Sequence, residues 1–332
     1  MSSHSDPFHS ILVPLDGSPL AEQALPLATD LARQKGARLR LVLVHEPPPA
    51  PRDALAANMF VAVDRVNQRG ERGYLRSVQR RLREDGIRLS AAATLTGHPG
   101  PALAEFARET GADLVVMATH GRSGIRRAWL GSVADYLIRH LELPILLVRA
   151  PETPATSVPE RPSRQILVPL DGSALSEQAL APACRLARAW RAELTPVNIV
   201  LPVMLPADGN LPLPSAYDGN ATEQCRQDAQ QYLDGVSERV REWGVRAEGI
   251  AMVGWSTAGA LLDIARPDAV GAIVLATHGR SGLRRWALGS VADKLIRAAE
   301  VPVLVVRPAG VPKPAARSPR PRAGGRRETA SA

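Results

Sequence analysis

Residues 114–135 read Leu-Val-Val-Met-Ala-Thr-His-Gly-Arg-Ser-Gly-Ile-Arg-Arg-Ala-Trp-Leu-Gly-Ser-Val-Ala-Asp, and most of this stretch recurs at residues 272–293. Both copies begin with a short apolar run that contains β-branched residues, which is typical of a buried parallel strand. Each run leads into a glycine-rich loop with three arginines, and each loop ends in Gly-Ser-Val-Ala-Asp. The pattern Ser-x-x-Asp predicts a helix with Ser132 as N-cap in the first copy and Ser290 in the second.

A helix that starts behind such a loop suits a phosphate group, because its first N–H groups are free and carry partial positive charge. In an open parallel sheet a ligand lies beyond the carboxyl ends of the strands, where the strand order reverses. Asp16 and Asp171, each directly after the first strand of a repeat, are expected at the same crevice. They can bind a sugar hydroxyl or a cation, or they can simply form an Asp-Gly turn, and the residues leave both roles open.

The chain is a tandem duplication. The segment Ile-Leu-Val-Pro-Leu-Asp-Gly-Ser occurs at residues 11–18 and again at residues 166–173. Strand and helix patterns alternate within each repeat, which predicts an α/β fold with two Rossmann-like domains. Each domain is expected to hold a five-stranded parallel sheet with helices on both faces. The predicted bounds are domain 1 at 8–149, a proline-rich linker at 150–164, domain 2 at 165–307 and a disordered basic tail at 308–332.

Two local features carry further expectations. A helix that begins after Ser18 is expected to continue past Pro26 with a kink, since proline removes a backbone hydrogen bond.

Residues 46–72 and 201–222 are the least alike parts of the repeats. Such long connections act as lids or partner surfaces, or are plain surface loops with a helical turn, and the sequence does not separate these roles.

Composition and charge exclude several classes of protein. The 332 residues carry a formal charge of +8, and the tail contributes six basic residues against one acid. The rest of the chain is therefore only mildly basic, so no specific nucleic-acid partner is predicted. No signal peptide and no run of about 20 apolar residues is present, which predicts a cytoplasmic protein without a membrane partner. Cys184 and Cys225 lack metal-ligand spacing and are expected to pack between helices in a reducing compartment.

The spacing Ala118-x-x-Gly121, nine residues, Gly131-Ser132 resembles the nucleotide-binding signature Gly-x-x-Gly-x9-Gly-Ser/Thr of the universal stress protein family. The first strand of each repeat and the endings at 144–149 and 302–307 are also similar to that family, so the resemblance covers nearly all of residues 8–307. The first glycine of the signature is replaced by Ala118 and Ala276. Alanine is strained there if φ is positive, but harmless if the position ends a strand, as expected here.

The resemblance implies a set of adenine-nucleotide site residues in each repeat, with at least one repeat holding ATP, with or without Mg²⁺; whether both repeats bind is left open. It implies that Glu46 and Ile199 lie beside the adenine and that the residues around Gly131 and Gly289 meet the phosphates. The implied residues of the first site are Pro14, Leu15, Asp16, Glu46, Met117, Ala118, Gly121, Arg122, Gly131, Ser132, Val133 and Ala134. Those of the second are Pro169, Leu170, Asp171, Ile199, Leu275, Ala276, Gly279, Arg280, Gly289, Ser290, Val291 and Ala292.

The implied function is that of a nucleotide-dependent regulator or sensor in a stress response. An ATP-independent module that binds an unknown protein partner, and a slow ATPase, remain alternatives. No P-loop, nucleophile elbow or zinc spacing occurs, so no catalytic or metal residue is assigned and at most weak ATP hydrolysis is expected. The short apolar strands at 145–148 and 303–306 are expected to pair as an intramolecular pseudo-dimer, because an exposed apolar edge strand is a liability. A homodimer beyond this is left open.

The basic tail is expected to be dispensable for folding and for nucleotide binding, because it has too little apolar content to pack. Deletion of residues 308–332 should leave the melting temperature nearly unchanged. Thermal unfolding of the shortened chain checks this, and a large fall would show that the tail docks on the body of the protein.

Overall fold

The computed structural model describes residues 7–47, 54–119, 130–149, 164–205, 217–277 and 288–309. Both halves alternate strands with helices. The elements of the first half are β1 (Ser10–Leu15), α1 (Pro19–Glu22), α2 (Leu25–Lys35), β2 (Arg38–His45), α3 (Ala54–Glu84), β3 (Leu89–Thr96), α4 (Pro99–Glu109), β4 (Leu114–Ala118), α5 (Ser132–His140) and β5 (Ile145–Val148). Those of the second half are β6 (Gln165–Pro169), α6 (Ala174–Glu177), α7 (Leu180–Trp190), β7 (Glu193–Val200), α8 (Gly219–Glu242), β8 (Ile250–Val253), α9 (Thr257–Ile264), β9 (Ala272–Ala276), α10 (Ser290–Ala298) and β10 (Val303–Val306).

The strands form one ten-stranded sheet in the order β3-β2-β1-β4-β5-β10-β9-β6-β7-β8. All pairs within a half are parallel, as predicted, while β5 and β10 pair antiparallel and join the halves. In this central pair Val303 lies opposite Leu147, and Val305 lies opposite Ile145. The expected pairing of these two strands within one chain is therefore present.

Helices cover both faces of the sheet, and the alternation of side chains along each strand assigns them to two cores. Leu41 and Leu43 of β2 belong to a core that also contains α2, α3, α7 and α8. Val42 lies in the core on the other face, with α4, α5, α9 and α10. Because the first core runs across both halves and α2 contacts α7, the halves form one continuous body.

The kinked helix expected around Pro26 is wrong. Instead α1 ends at Glu22 and α2 starts at Leu25, with Pro26 in the first turn, where its missing N–H costs no helical bond. The second half breaks at the same point, between α6 and α7, although Pro182 is displaced by one residue. The break therefore belongs to the fold and does not depend on proline position.

Much of the first variable stretch is helical, not loop. The helix α3 is 31 residues long and begins at Ala54, within the predicted insert of residues 46–72. Among the side chains of α3 that the structure describes, the buried apolar ones are Leu75, Val78 and Leu82 in its second part. In its first part Met59, Val63 and Val66 recur at helical spacing but are exposed, so this apolar face does not pack on the sheet. Among the described helices, none combines the length and apolarity needed to cross a bilayer.

Candidate functional site

The strand order reverses beside β1 in the first half and beside β6 in the second. In the first half the chain moves outward from β1 to β2 and β3, then returns to β4 on the other side of β1. In the second half the strand order reverses in the same way between β6 and β9, and a cleft of about 770 Å³ opens there. This volume is in the range of about 300–1,000 Å³ that is usual for small-molecule sites.

The cleft brings together the residues that the motifs identified in the second half. Gly279 and Arg280 lie outside the described residues, and the remaining ten all line the cleft. These ten are Pro169, Leu170, Asp171, Ile199, Leu275, Ala276, Gly289, Ser290, Val291 and Ala292.

The first half has the same topology at its own crevice. Pro14 and Leu15 end β1, and Met117 and Ala118 end the neighbouring β4. The segment from Gly131 to Ala134 forms the start of α5. Gly121 and Arg122 lie outside the described residues, as do the other arginines of both loops.

The helix starts differ from the predicted caps. The N-caps are Gly131 and Gly289, so Ser132 and Ser290 are the first helical residues. A glycine has no side chain with which to accept from the first-turn N–H groups, and these groups have no partner within the helix. The start of α10 therefore presents backbone donors and the positive end of the helix dipole to the cleft, an arrangement that suits an anion.

The aspartates of the predicted capping pattern form ion pairs with arginines one turn later on the same helix. Asp135 binds the guanidinium of Arg139, and Asp293 binds that of Arg297, each four residues apart on its helix. Their carboxylates are therefore used along the helix surface, not at its N-terminal N–H groups.

The glycines at these caps are required by space. The N–H of Gly131 donates to the carbonyl of Thr119, and that of Gly289 donates to the carbonyl of Thr277, both at 3.0 Å. A Cβ atom would lie 3.0 Å from the Thr119 oxygen or 3.1 Å from the Thr277 oxygen. Both glycines have negative φ, near −58° and −57°, so close approach of the backbone, not conformational freedom, explains the residue type.

Ala118 and Ala276 are the last residues of β4 and β9. Among the described non-glycine residues only Arg191 has a positive φ, so neither alanine is strained. The expectation that a methyl group is harmless at this position of the signature is confirmed.

Asp16 and Asp171 form the Asp-Gly turns. The Oδ1 atom of Asp16 accepts from the N–H of Ser18 at 2.9 Å and from its hydroxyl at 2.6 Å. Asp171 accepts in the same way from Ser173, at 3.0 and 2.6 Å. Because Asp171 also lines the cleft, turn formation and a contact with a ligand are compatible.

Glu46 and Ile199, both implied to lie beside the adenine, do not occupy equivalent positions in the two halves. The pairs Ser10–Arg38 in β1–β2 and Gln165–Glu193 in β6–β7 have the same register, which makes Ile199 equivalent to Val44. Glu46 lies two residues beyond that position, and its carboxylate is 2.9 Å from the Nδ1 atom of His98 at the surface. The sequence comparison missed this because the two strand ends have no residue in common that fixes the alignment.

The helix α8 supplies residues to the cleft that the sequence did not suggest, namely Cys225, Asp228, Ala229 and Tyr232. The hydroxyl of Tyr232 donates to Glu177 at 2.9 Å. Burial, and then this hydrogen bond, raise the pKa of Tyr232, so the phenol stays neutral. These residues lie in a stretch without a motif, and only the fold brings them to the cleft.

The two cysteines differ in environment. Cys184 packs in the core on α7, as expected, and burial raises the pKa of its thiol to about 11. Cys225 is exposed and lines the cleft, so the expectation of helix packing is wrong for this residue.

The first half differs from the second along α3, the helix that occupies the position of α8. Arg81 of α3 pairs with Glu22, and Arg239 of α8 pairs with Glu177, which aligns the two helices residue by residue. In this alignment Glu71 of the first half is equivalent to Ala229 of the second.

A polar cluster therefore replaces small and apolar lining in the first half. His45, which is equivalent to Val200, is 2% exposed, and its Nδ1 atom lies 2.9 Å from the Glu71 carboxylate. Its Nε2 atom lies 2.9 Å from the carboxylate of Asp64. In the second half Val200 and Ala229 line the cleft at these two positions.

Comparison with known proteins supports one family over both halves. The model described as "Universal stress protein family" matches residues 7–149 and 162–307. Universal stress protein MJ0531 of Methanocaldococcus jannaschii is 34% identical over 147 residues, which cover 43% of this chain and 82% of that protein. Universal stress protein Rv1996 of Mycobacterium tuberculosis is 25% identical over 315 residues, 90% of this chain and 94% of that protein.

A similar fold is found in the crystal structure of a universal stress protein from Archaeoglobus fulgidus. It matches with a TM-score of 0.65 and 16% identity, and covers 92% of this chain and 99% of that chain. At this identity the likeness concerns the fold alone.

Proposed function

This chain belongs to the universal stress protein family, and from that premise we propose that it binds an adenine nucleotide, ATP in the first instance, in the cleft of its second half. The observation that carries the proposal is the convergence of ten motif residues on one cleft of about 770 Å³. The cleft combines apolar walls, the carboxylates of Asp171 and Asp228, and a helix start. Apolar walls suit a base, a carboxylate suits a ribose hydroxyl, and a helix start suits a phosphate chain.

In this proposal each part of the nucleotide meets a different element. The base packs between the apolar ends of the strands, at Leu170, Ile199 and Leu275. Asp171 accepts from a ribose hydroxyl, and the N–H groups at the start of α10 donate to the phosphates. Mg²⁺ would accompany the phosphates through their own oxygens, since this ion usually keeps several waters and needs no cage of protein ligands.

We propose a weaker site, or none, in the first half. The strand ends at Pro14, Leu15, Met117 and Ala118 flank the equivalent crevice, but His45 and Glu71 lie where the second half has Val200 and Ala229. These side chains are larger than valine and alanine, so they leave less room for a ligand than the second cleft does. Tight binding is therefore expected at about one nucleotide per chain.

The proposed role is that of a regulator or sensor whose state depends on bound nucleotide, in keeping with the family. Mass spectrometry of the small molecules released from purified, denatured protein tests the ligand class directly. Titration calorimetry with ATP then gives affinity and stoichiometry. No retained adenine nucleotide together with no heat of binding would overturn the proposal in favour of an ATP-independent module.

The reaction of Cys225 with a thiol reagent is predicted to slow when ATP is bound. Cys225 is exposed on the wall of the cleft, so an occupied cleft restricts access to its sulfur. Cys184 serves as an internal control, because it is buried and its raised pKa keeps the thiol protonated at neutral pH. Modification followed by intact mass, with and without excess ATP, measures the effect. Equal rates would contradict the placement of the nucleotide beside α8.

A further inference from the structure

The helices α3 and α8 occupy equivalent positions in the two halves, yet their exposed faces carry opposite charge. Arg81 and Arg239, which make the same ion pair with the preceding short helix, fix the alignment. The helix α3 carries seven arginines against three acids, whereas α8 carries five acids against three arginines.

The arginines of α3 form a continuous stripe. With Arg81 paired to Glu22, the other six recur at steps of three and four residues, which places them on one side of a helix. All are exposed, and none makes an ion pair with a described residue. We call this set the basic stripe: Arg65, Arg69, Arg72, Arg76, Arg80 and Arg83. It extends over about 27 Å at a rise of about 1.5 Å per residue.

The two acids of α3 near its middle do not neutralise this stripe. Asp64 and Glu71 face the opposite side of the helix, where they hold His45. The carboxylate of Glu84 lies at the end of the helix. A single-signed row of this length repels itself unless an opposite charge lies against it.

The matching face of α8 is acidic at equivalent positions. In the alignment fixed by Arg81 and Arg239, Arg65 corresponds to Glu223, Arg76 to Asp234 and Arg80 to Glu238. We call this set, together with Glu242 at the helix end, the acidic stripe, and all four residues are exposed. Two arginines of α8 lie near this set. Arg226 binds the carboxylate of Glu223 on the same helix, and Arg241 turns its guanidinium to the carbonyl of Ala247. Asp234, Glu238 and Glu242 make no ion pair with a described residue.

We propose that the basic stripe on α3 of one copy of this chain docks on the acidic stripe on α8 of a second copy. The occupant follows from charge complementarity, because each chain carries both members of the pair at matched spacing. A nucleic acid or an anionic surface would use the basic stripe, but would leave the acidic stripe without a partner on another molecule. A second copy uses both.

The size of the contact is compatible with a specific interface. Two helices in contact over about 27 Å at a width of about 10–12 Å cover roughly 300 Å² on each partner. If each copy contributes both helices, the total buried area approaches about 1,200 Å², the lower end of stable interfaces. Because most of this surface is charged, association is expected to weaken steeply between low salt and about 0.15 M, where screening acts over about 8 Å.

A charge-swap experiment tests the proposal. The variants are Arg72→Glu with Arg76→Glu on α3, and Glu223→Arg with Glu238→Arg on α8. Both exchange exposed side chains of good helix propensity, so the fold should be retained, and circular dichroism checks it. Sedimentation equilibrium of the full chain at low salt should show dimers or larger assemblies for the parent. Each variant alone should associate at least about tenfold more weakly, because like charges then face each other.

Mixing the two variants provides the decisive arm. In the mixture the unchanged basic stripe of the α8 variant meets the unchanged acidic stripe of the α3 variant, and at the second contact the exchanged side chains meet side chains of opposite charge. An equimolar mixture should therefore recover the association that each variant has lost. The control is Arg108→Glu with Arg266→Glu, exposed positions beside the other face of the sheet, with the same change of charge as the α3 variant.

The control should associate as the parent does. A parent that remains monomeric at low salt overturns the proposal. A mixture that fails to recover association also overturns it. So does a loss of association confined to the α3 variant, because a partner that uses only the basic stripe is then a polyanion and not a second copy of this chain.

Discussion

The substitution Leu147→Pro is expected to destabilise the whole chain by about 1–3 kcal/mol, because it removes a ladder donor from a central strand and leaves a buried carbonyl without its partner. The carbonyls of Pro144 and Val148 accept from N–H groups on the β4 side. Because the N–H and C=O groups of successive residues point to opposite sides of a strand, those of Leu147 point towards β10. The carbonyls of Pro302 and Val306 likewise accept from β9. Leu147 and Val303 therefore face each other as a hydrogen-bonded pair at the centre of the ten-stranded sheet. Proline at position 147 has no backbone N–H, so one hydrogen bond of this pair is lost.

Urea unfolding of Leu147→Pro against the parent measures this effect. Thr94→Pro is a matched control on the edge strand β3. The N–H of Gly97 donates to the carbonyl of His45, so alternation directs the N–H of Thr94 away from β2, where proline is tolerated. If both variants unfold at the same urea concentration, the two halves are not paired through β5 and β10 in solution.

The repeat made the fold predictable. Strands such as β1 and β4 are continuous apolar runs buried on both faces, and their sequence has no other plausible structure in a chain of this composition. The pairing of β5 with β10 followed from the same physics, because each is a short apolar strand that would otherwise form an open edge. The first part of α3 was not predicted, since its apolar residues Met59, Val63 and Val66 are mixed with further apolar residues and follow a run of prolines, which obscures their helical spacing.

The candidate site was predictable only where a motif marks it. The turn at Asp171 and the helix start at Gly289 were identified from local sequence, and both line the cleft. Tyr232 and Cys225 were missed because their approach to the cleft depends on how α8 crosses the sheet. The N-cap was assigned one residue late, because Ser-x-x-Asp also fits a helix in which serine is the first helical residue and aspartate binds an arginine one turn later.

The polar cluster at His45 shows a further limit of reasoning from repeats. The signature residues recur almost unchanged in both halves, which predicted two equivalent sites. Asp64 and Glu71 lie outside the signature, in the stretch where the repeats differ most. Equivalence of a motif therefore does not establish equivalence of the surrounding cleft, and the proposed difference in binding between the halves rests on residues with no motif.

The substitution Gly289→Val is expected to lower ATP affinity at the second half at least about tenfold, a loss of about 1.4 kcal/mol. A Cβ atom at this position lies 3.1 Å from the carbonyl oxygen of Thr277, which is backbone and cannot rotate away. The helix start must therefore shift by a few tenths of an ångström, which moves its N–H groups relative to the proposed position of the phosphates. The branched side chain also adds bulk where a phosphate approaches the backbone.

Titration calorimetry separates this local effect from a loss of the fold when it is combined with thermal unfolding of the same sample. Gly131→Val is the matched variant, because its Cβ atom meets the carbonyl oxygen of Thr119 in the same geometry, at 3.0 Å. If the second half holds the tight site, Gly131→Val retains nearly all of the binding while Gly289→Val loses it, with both proteins folded. Unchanged affinity and stoichiometry in both variants would exclude these helix starts as the phosphate contacts, whereas the reverse result would assign the tight site to the first half.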